Sequence, residues 1–259
     1  MIRLKDILAE VYRNQVYEFF QRNTDILKSI FSEFNETPAE WLGGGFYGSA
    51  YATQAGKVIK FTDDPDEVAL AARISKRARR PHLINIYDVR PFSSFSIGLD
   101  QYGDPRLANG FYAIHMDKII PLMSMSRLAA DTWWNLQSMY FSTQPDEAVR
   151  RSVNFEWEKH RLTRDAYDIL LKIVDQRQKV LQDVRAMHIK SGEAHEGNIG
   201  FTPEGNFVLY DLQATKHPSQ SDWIDPIRPS KSTLGKTVDM SKHVKYTTDG
   251  IDTPGDPNM

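Results

Sequence analysis

The sequence predicts an α+β chain in which a small β-rich part precedes a mostly helical part. Three observations point there. Residues 37–61 are punctuated by Gly43, Gly44, Gly45, Gly48 and Gly56 between short apolar stretches, and they end in the β-type run Val58-Ile59-Lys60-Phe61. Residues 165–190 carry Ile169, Leu170, Ile173, Val174, Val180, Leu181, Val184 and Met187 on one broad helical stripe. Two short apolar runs, 199–201 and 207–210, flank a Thr202-Pro203-Glu204-Gly205-Asn206 turn, the pattern of a β-hairpin.

In chain order, residues 4–21 and 24–34 read as two amphipathic helices. Leu4, Ile7, Leu8, Val11, Tyr12 and Val16 follow helical spacing, and Thr24-Asp25 suits a helix start. The glycine-punctuated strands follow. Asp64-Pro65-Asp66-Glu67 combines a capping residue, a proline in the first turn and a glutamate three residues on. It predicts a helix that runs to Arg80 and stops at Pro81. Residues 83–89 and 111–116 read as strands, with 99–109 as the loop between them. From Ser124 to residue 190 the pattern is helical, with 165–190 as a single long helix. The last ~40 residues are rich in Pro, Ser, Thr and Asp, and the stretch from Tyr246 reads as a mobile tail.

The 259 residues suffice for a two-part domain with a sizeable core. Hydrophobic residues make up 41% and charged residues 25%, and the net charge of −2 provides no global attraction to nucleic acid or to an anionic membrane. The absence of cysteine excludes disulfides and cysteine-ligated zinc. No apolar run approaches the ~18 residues of a membrane span. Met1-Ile2-Arg3-Leu4-Lys5-Asp6 lacks a signal-peptide pattern. The expectation is a soluble cytoplasmic protein with no membrane partner.

Gly43-Gly44-Gly45-Phe46-Tyr47-Gly48 fits G-x-G-x-x-G, in which glycine lets backbone N–H groups approach phosphate oxygens. A dinucleotide-binding loop opens into a helix, whereas residues 49–60 hold an Ala-Gly turn and a strand. A Walker loop needs Gly-Lys-Ser/Thr, and here Ser49-Ala50 follows Gly48. What remains is a strand–glycine turn–strand unit, either a flap over phosphates or a plain glycine-rich hairpin. Lys60 inside an apolar strand must face solvent or be held by anions. Beside the glycine hairpin it suits a lysine that reaches nucleotide phosphates. Glu67 shares a helix face with Leu70, Ala71 and Ile74; it is either the carboxylate partner of Lys60 or the closing residue of a capping box on Asp64, with Asp66 as the substitute partner.

Ser191-Gly192-Glu193-Ala194-His195-Glu196-Gly197-Asn198 precedes the hairpin, and Tyr210-Asp211-Leu212 follows it. Mg²⁺ takes hard oxygen ligands, and one Asp carboxylate and one Asn carbonyl together with nucleotide phosphates suffice. Asn198 and Asp211 open onto the same edge of the hairpin, although each alone also suits turn chemistry. Glu193, five residues before Asn198, places a carboxylate where it can orient a hydroxyl nucleophile and accept its proton. His195-Glu196 is not the start of a zinc motif, because Ile199 stands where H-E-x-x-H needs its second histidine.

These residues together resemble the protein-kinase-like fold. Leu42-Gly43-x-Gly45-x-x-Gly48 is similar to the glycine-rich loop, Val58-Ile59-Lys60 to the strand lysine, and Asn198 and Asp211 to the two metal ligands. The spacing from Glu193 to Asn198 equals that in H-R-D-x-x-x-x-N. His195-Glu196-Gly197-Asn198 resembles the His-Pro-Gly-Asn run of aminoglycoside-type phosphotransferases. With Asn85-Ile86-Tyr87-Asp88-Val89, the pattern is most similar to the early serine/threonine kinases of T-odd podophages, over residues 41–117 and 165–215.

The resemblance implies a bilobal α+β fold with a small β-rich N-lobe and a reduced, mostly helical C-lobe. It divides the chain into a helical extension (1–36), an N-lobe with the glycine loop (37–118), a C-lobe with catalytic loop and metal-binding hairpin (119–245) and a flexible tail (246–259). It implies ATP and Mg²⁺ as cofactors, with Gly43, Gly45, Gly48, Lys60, Glu67, His115 and Met116 at the nucleotide. His115-Met116-Asp117 is then the hinge whose backbone meets adenine. Glu193, Lys60 and Asn198 are the implied catalytic residues, and Asn198 and Asp211 the metal ligands. The substrate is a protein hydroxyl, on a host protein if the chain is phage-encoded, or a small-molecule hydroxyl. Three departures stand out. Glu193 replaces aspartate, Asp211-Leu212-Gln213 replaces Asp-Phe-Gly, and no Ala-Pro-Glu follows. They favour a minimal, constitutively assembled kinase, and they also motivate a non-catalytic nucleotide-binding alternative. Nucleotidyl transfer on the same fold is a further possibility.

Lys76-Arg77-Arg79-Arg80 places four cations at a helix end, read as a solvated C-terminus, with an anionic partner as the alternative. Trp133-Trp134 and Tyr140-Phe141 are read as core.

Overall fold

The computed structural model describes residues 20–21, 23–44, 48–62, 64–93, 95–99, 105–108, 111–189, 194–210 and 238–239. The fold is mixed α+β. Helix α1 (Thr24–Ser32) precedes strands β1 (Pro38–Gly44), β2 (Gly48–Thr53) and β3 (Lys57–Thr62), helix α2 (Pro65–Ser75), and strands β4 (Ile86–Phe92) and β7 (Phe111–Asp117). These strands form one antiparallel sheet in the order β1-β2-β3-β7-β4. Between β4 and β7, β5 (Phe95–Leu99) and β6 (Pro105–Ala108) pair as a separate ribbon. This corrects the expected 99–109 loop: Leu99 pairs with Pro105, and 105–108 are strand.

Alternation of side chains gives the sheet two different faces. On one, Tyr51, Ile59, Phe61, Phe92 and Ala113 pack under α1 through Ile26, Leu27, Ile30 and Phe31. Val238 joins this layer and bridges Phe92, so the chain returns to the sheet after the helical part. On the other face, Val89 and Ile114 pack with Val68 and Ala71 of α2 and with Ile84 and Ile86. Lys60 is directly opposite Ile114 and therefore belongs to this second face.

Helix α2 stops five residues before the predicted end, with Lys76 as its C-cap. The basic run leaves the helix to bond elsewhere. The predicted 83–89 strand also splits: β4 starts at Ile86, while Leu83 bridges Leu209 in parallel.

The helical part comprises α3 (Leu122–Met125), α4 (Arg127–Tyr140), α5 (Asp146–His160), α6 (Arg164–Asp175) and α7 (Arg177–Met187). Where one helix was predicted over 165–190 there are two, broken at Gln176. The break has a cause: the Gln176 side chain accepts from Phe207 N–H at 2.9 Å and donates to the Gly205 carbonyl at 3.5 Å, fastening the bend to the hairpin. Beside it, Arg177 is fully buried and donates to the Tyr140 and Ser142 carbonyls and to Asp146. Trp133 and Tyr140 are core residues as expected, but Trp134 is 60% exposed. Neighbouring helical positions lie about 100° apart, so only one of the two tryptophans can face inward.

Strands β9 (Ile199–Phe201) and β10 (Phe207–Leu209) form the predicted hairpin, and β8 (Ile120–Pro121) adds a third strand. Residues 4–19 and 246–259, predicted as helix and tail, lie outside the described residues. Among the described residues no helix is long and apolar enough to cross a membrane.

Candidate functional site

Lys60 sits in the middle of the sheet, between Ala50 of β2 and Ile114 of β7. Its Nζ lies 2.6 Å from Oε1 of Glu67, and only 14% and 9% of the two side chains are exposed. The local chemistry explains why Glu67 is available. Asp64 caps α2, its carboxylate accepting from Asp66 N–H at 2.8 Å and Glu67 N–H at 3.4 Å. A capping box would also turn the Glu67 side chain back to the Asp64 N–H. That N–H instead donates to Thr62 Oγ1 at 3.1 Å. The Glu67 backbone thus serves the cap while its carboxylate crosses to the sheet. A close buried pair of this kind is held by mutual need, since either partner alone leaves an uncompensated charge.

Gly43 and Gly48 lie in the two strands of the glycine hairpin, at the end of β1 and the start of β2. Gly43 has φ 146°, a value that L side chains rarely adopt, and pairs with Ala50, the neighbour of Lys60 across β2 and β3. Gly45, at the tip, lies outside the described residues.

His115 and Met116 occupy opposite faces of β7. Met116 packs with the α2-side cluster and so shares the face of Lys60. His115 points to the α1 side, where its Nε2 is 3.1 Å from Glu36 Oε1 and its ring packs on Phe34 and Tyr87. Burial pulls the imidazole below its usual value against the opposing influence of Glu36, and the Lys57 charge adds to the lowering. His115 is also paired on both sides, with Ile59 and Asp88, so its peptide groups lie within the sheet. The chain leaves the sheet two residues later, at Asp117, whose N–H donates to the Asn85 carbonyl. Asp117 accepts from Lys57 Nζ at 2.6 Å and from Tyr87 Oη at 2.5 Å, with Arg79 at 3.5 Å. Burial alone would raise its carboxyl, but these hydrogen bonds and the Lys57 and Arg79 charges hold it below its usual value.

Asn198 is buried at the mouth of the hairpin. Its N–H closes a turn onto the His195 carbonyl at 2.9 Å, and its carbonyl accepts from Tyr210 N–H at 2.9 Å. Asn198 and Tyr210 therefore face one another just beyond the Ile199–Leu209 pair. Asp211 follows Tyr210 directly but lies outside the described residues, as does Glu193. The His195 Nδ1 accepts from Gly197 N–H at 3.1 Å, tightening the turn. Tyr210 packs against the cluster of Val68, Ala71, Ile84, Ile86, Val89 and Ile114. Through this cluster the mouth of the hairpin packs on the α2 side of the sheet, the side to which Lys60 belongs.

Three fastenings of this arrangement were not anticipated. Trp133 Nε1 donates to the Ala194 carbonyl at 2.8 Å and holds the loop that leads to Asn198. Gly200 packs so tightly on β8 that an added Cβ would lie 2.3 Å from the Ile120 carbonyl oxygen. A glycine inside a strand pattern is a signal of close backbone approach and marked this place. His82 is buried, donates from Nδ1 to the Phe207 carbonyl at 2.9 Å, and accepts at its own carbonyl from Leu209 N–H. A cavity of about 370 Å³ is lined by Arg79, Asn85, Asp117, Ile119 and Asn206, and by neither Lys60 nor Asn198.

No protein-family model matches the chain, and no curated protein is significantly similar to it.

Proposed function

We propose that this protein is an ATP- and Mg²⁺-dependent phosphotransferase of the protein-kinase-like fold, acting on protein serine or threonine hydroxyls. The observation that carries the reading is the buried Lys60–Glu67 pair, 2.6 Å long, on the sheet face that Tyr210 also touches. A lysine so held is preorganised: the carboxylate fixes its ammonium on the face of the sheet where phosphate oxygens would be met. The order β1-β2-β3, helix, β4, with the glycine hairpin over the lysine strand, supports a nucleotide-binding N-lobe; α3–α7 and the hairpin form the C-lobe.

The donor set at the mouth of the hairpin fits Mg²⁺. Asn198 is held there by its own backbone bonds, and Asp211 is the next residue in sequence after Tyr210, to which Asn198 is bonded. Asn198 and Asp211 would hold Mg²⁺, which when bound would neutralise charge on the phosphates. Lys60 orients the phosphates. Glu193, in the loop before Asn198, orients the substrate hydroxyl and accepts its proton. The backbone that meets adenine lies where the chain leaves β7, at Asp117 to Ile119.

A protein substrate is favoured over a small molecule by the segment that follows. Ile120, Met123 and Met125 are each more than two-fifths exposed, an apolar ledge rather than the wall of a closed acidic pocket.

The test uses purified protein, Mg²⁺, a cell lysate and ATP labelled at either the γ or the α phosphate. Label is expected from γ only and is lost in Lys60→Met. Label from α identifies nucleotidyl transfer instead. Nucleotide binding without transfer of either label identifies the non-catalytic alternative. Asp211→Ala is expected to abolish Mg²⁺-dependent nucleotide binding; unchanged binding would show the metal ligand to be misassigned.

A further inference from the structure

Helix α7 ends just before the loop that carries the candidate catalytic residues, and its last four carbonyls need partners. His188, in the left-handed conformation, closes two of them. Its own N–H donates to the Arg185 carbonyl at 3.2 Å, and Ile189 N–H donates to the Val184 carbonyl at 3.1 Å. The other two are met from a different element. Arg77 Nη1 donates to the Ala186 carbonyl at 3.3 Å, and Arg73 Nη2 donates to the Met187 carbonyl at 3.4 Å. Both arginines belong to α2 and the turn that ends it, the element whose first turn carries Glu67. Further along, Arg80 Nη1 is 2.9 Å from Asp183 Oδ1, and the same carboxylate accepts from His82 N–H. Arg77 and Arg80 of the basic run thus bond to α7, where the Arg77 charge also meets the negative end of the helix dipole.

We propose that Arg73 and Arg77 are positioning residues: they clasp the Glu67 helix to the end of α7, so that the Lys60–Glu67 pair and the Asn198 loop are assembled as one body without an activation step. The proposal rests on the phosphotransferase reading for its catalytic consequence. Its mechanical content, that α2 and the loop after α7 move together, does not depend on that reading. A swing of α2 away from the sheet would strip two helix-terminal carbonyls of their donors at the same moment as it broke the Lys60 pair. The open state is thereby disfavoured from both ends of the helix.

The full chain is compared with Arg73→Ala/Arg77→Ala, with Arg73→Lys/Arg77→Lys, with Glu67→Gln and with each arginine pair placed on Glu67→Gln. Turnover is resolved into kcat and KM for ATP, and hydrogen exchange is followed over residues 65–75 and 194–210. The alanine pair is expected to lower kcat/KM on the order of tenfold. The lysine pair recovers part of the loss. On the Glu67→Gln background the arginine changes cost nothing more, because they act through that carboxylate. Exchange rises in both segments together. Losses that add to that of Glu67→Gln, or faster exchange in 65–75 with 194–210 unmoved, overturn the proposal. If the alanine pair does not fold, the lysine pair carries the same cycle. A native protein with no ATP-dependent labelling overturns the kinase reading instead, and the exchange coupling then decides the clasp by itself.

Discussion

The two halves of the candidate site are held by different physics. At the sheet, Lys60 of β3 and Glu67 of α2 meet through side chains, a buried ion pair between a strand that backbone pairing fixes and the helix packed on it. At the hairpin, Asn198 is placed by backbone bonds to His195 and Tyr210, by a tryptophan N–H on Ala194 and by a glycine that admits a neighbouring strand. The first half depends on charge and the second on close fit. Substitutions that separate charge from shape should therefore act on one half and spare the other.

The largest effect is expected at Lys60. Lys60→Met leaves the Glu67 carboxylate buried without its ammonium, and a loss of about 3–5 kcal/mol is expected in chemical denaturation. Adding Glu67→Leu should restore most of that stability, because two apolar side chains can replace a buried pair at little or no cost. It should restore no phosphoryl transfer. Recovery of activity along with stability would show that the pair serves only the fold.

At the hairpin, Gly200→Ala is the shape counterpart. Its Cβ would meet the Ile120 carbonyl oxygen at 2.3 Å, a contact with backbone that cannot rotate away. Overpacking of this kind costs about 1–3 kcal/mol. Gly43→Ala is the control: nothing lies within 4 Å of its added Cβ, so only the strain of φ 146° is paid. Melting should rank Gly200→Ala well below Gly43→Ala. Equal losses would mean that β8 gives way more readily than the packing indicates.

Trp133→Phe should cost stability on the same order and bear more on function. It keeps most of the ring but leaves the buried Ala194 carbonyl without its donor, at about 1–3 kcal/mol. That carbonyl stands next to Glu193, so kcat should fall while KM for ATP holds. A change in KM alone would place the loop's role in nucleotide binding.

The contrast between the halves also decides what could be read from the sequence. Asp64-Pro65-Asp66-Glu67 announced both a helix start and a candidate partner for Lys60, because capping and amphipathic spacing are local. Whether Glu67 closed the cap or crossed to the lysine turned on Thr62, whose hydroxyl takes the Asp64 N–H. No sequence pattern expresses that choice. The hairpin was legible from its turn residues, and its mouth followed from register. The break at Gln176 was hidden because the apolar stripe runs through it, and the cause is a tertiary bond to Phe207. Likewise the cationic run after α2 looked like a solvated helix end. Arg77 instead donates to a helix carbonyl about a hundred residues away, and Arg79 and Arg80 meet the Asp117 and Asp183 carboxylates, which composition cannot reveal. The side-chain environment of His115 was not legible either: a one-residue step in a strand reverses the face, and its ring points to Glu36.

The smallest expected effect concerns acid, and it separates two groups within the sheet half. His115 is held below its ordinary 6.5 by burial, so below that pH the unfolded chain binds a proton that the folded one resists. Stability contributed by the neutral ring is complete above about pH 7 and declines as pH falls toward the folded value. Asp117 is held below its ordinary 3.8, and the unfolded carboxyl again takes up the proton first. Its contribution is complete above about pH 5 and is lost only as pH falls through the depressed folded value. Urea midpoints should therefore show two acid limbs. His115→Phe should flatten the upper one, which sets in as pH falls below about 7, and Asp117→Asn the lower one, below about pH 4. An upper limb that survives His115→Phe would assign it to another group, and the buried Glu36–His115 contact would then be a matter of packing rather than of charge.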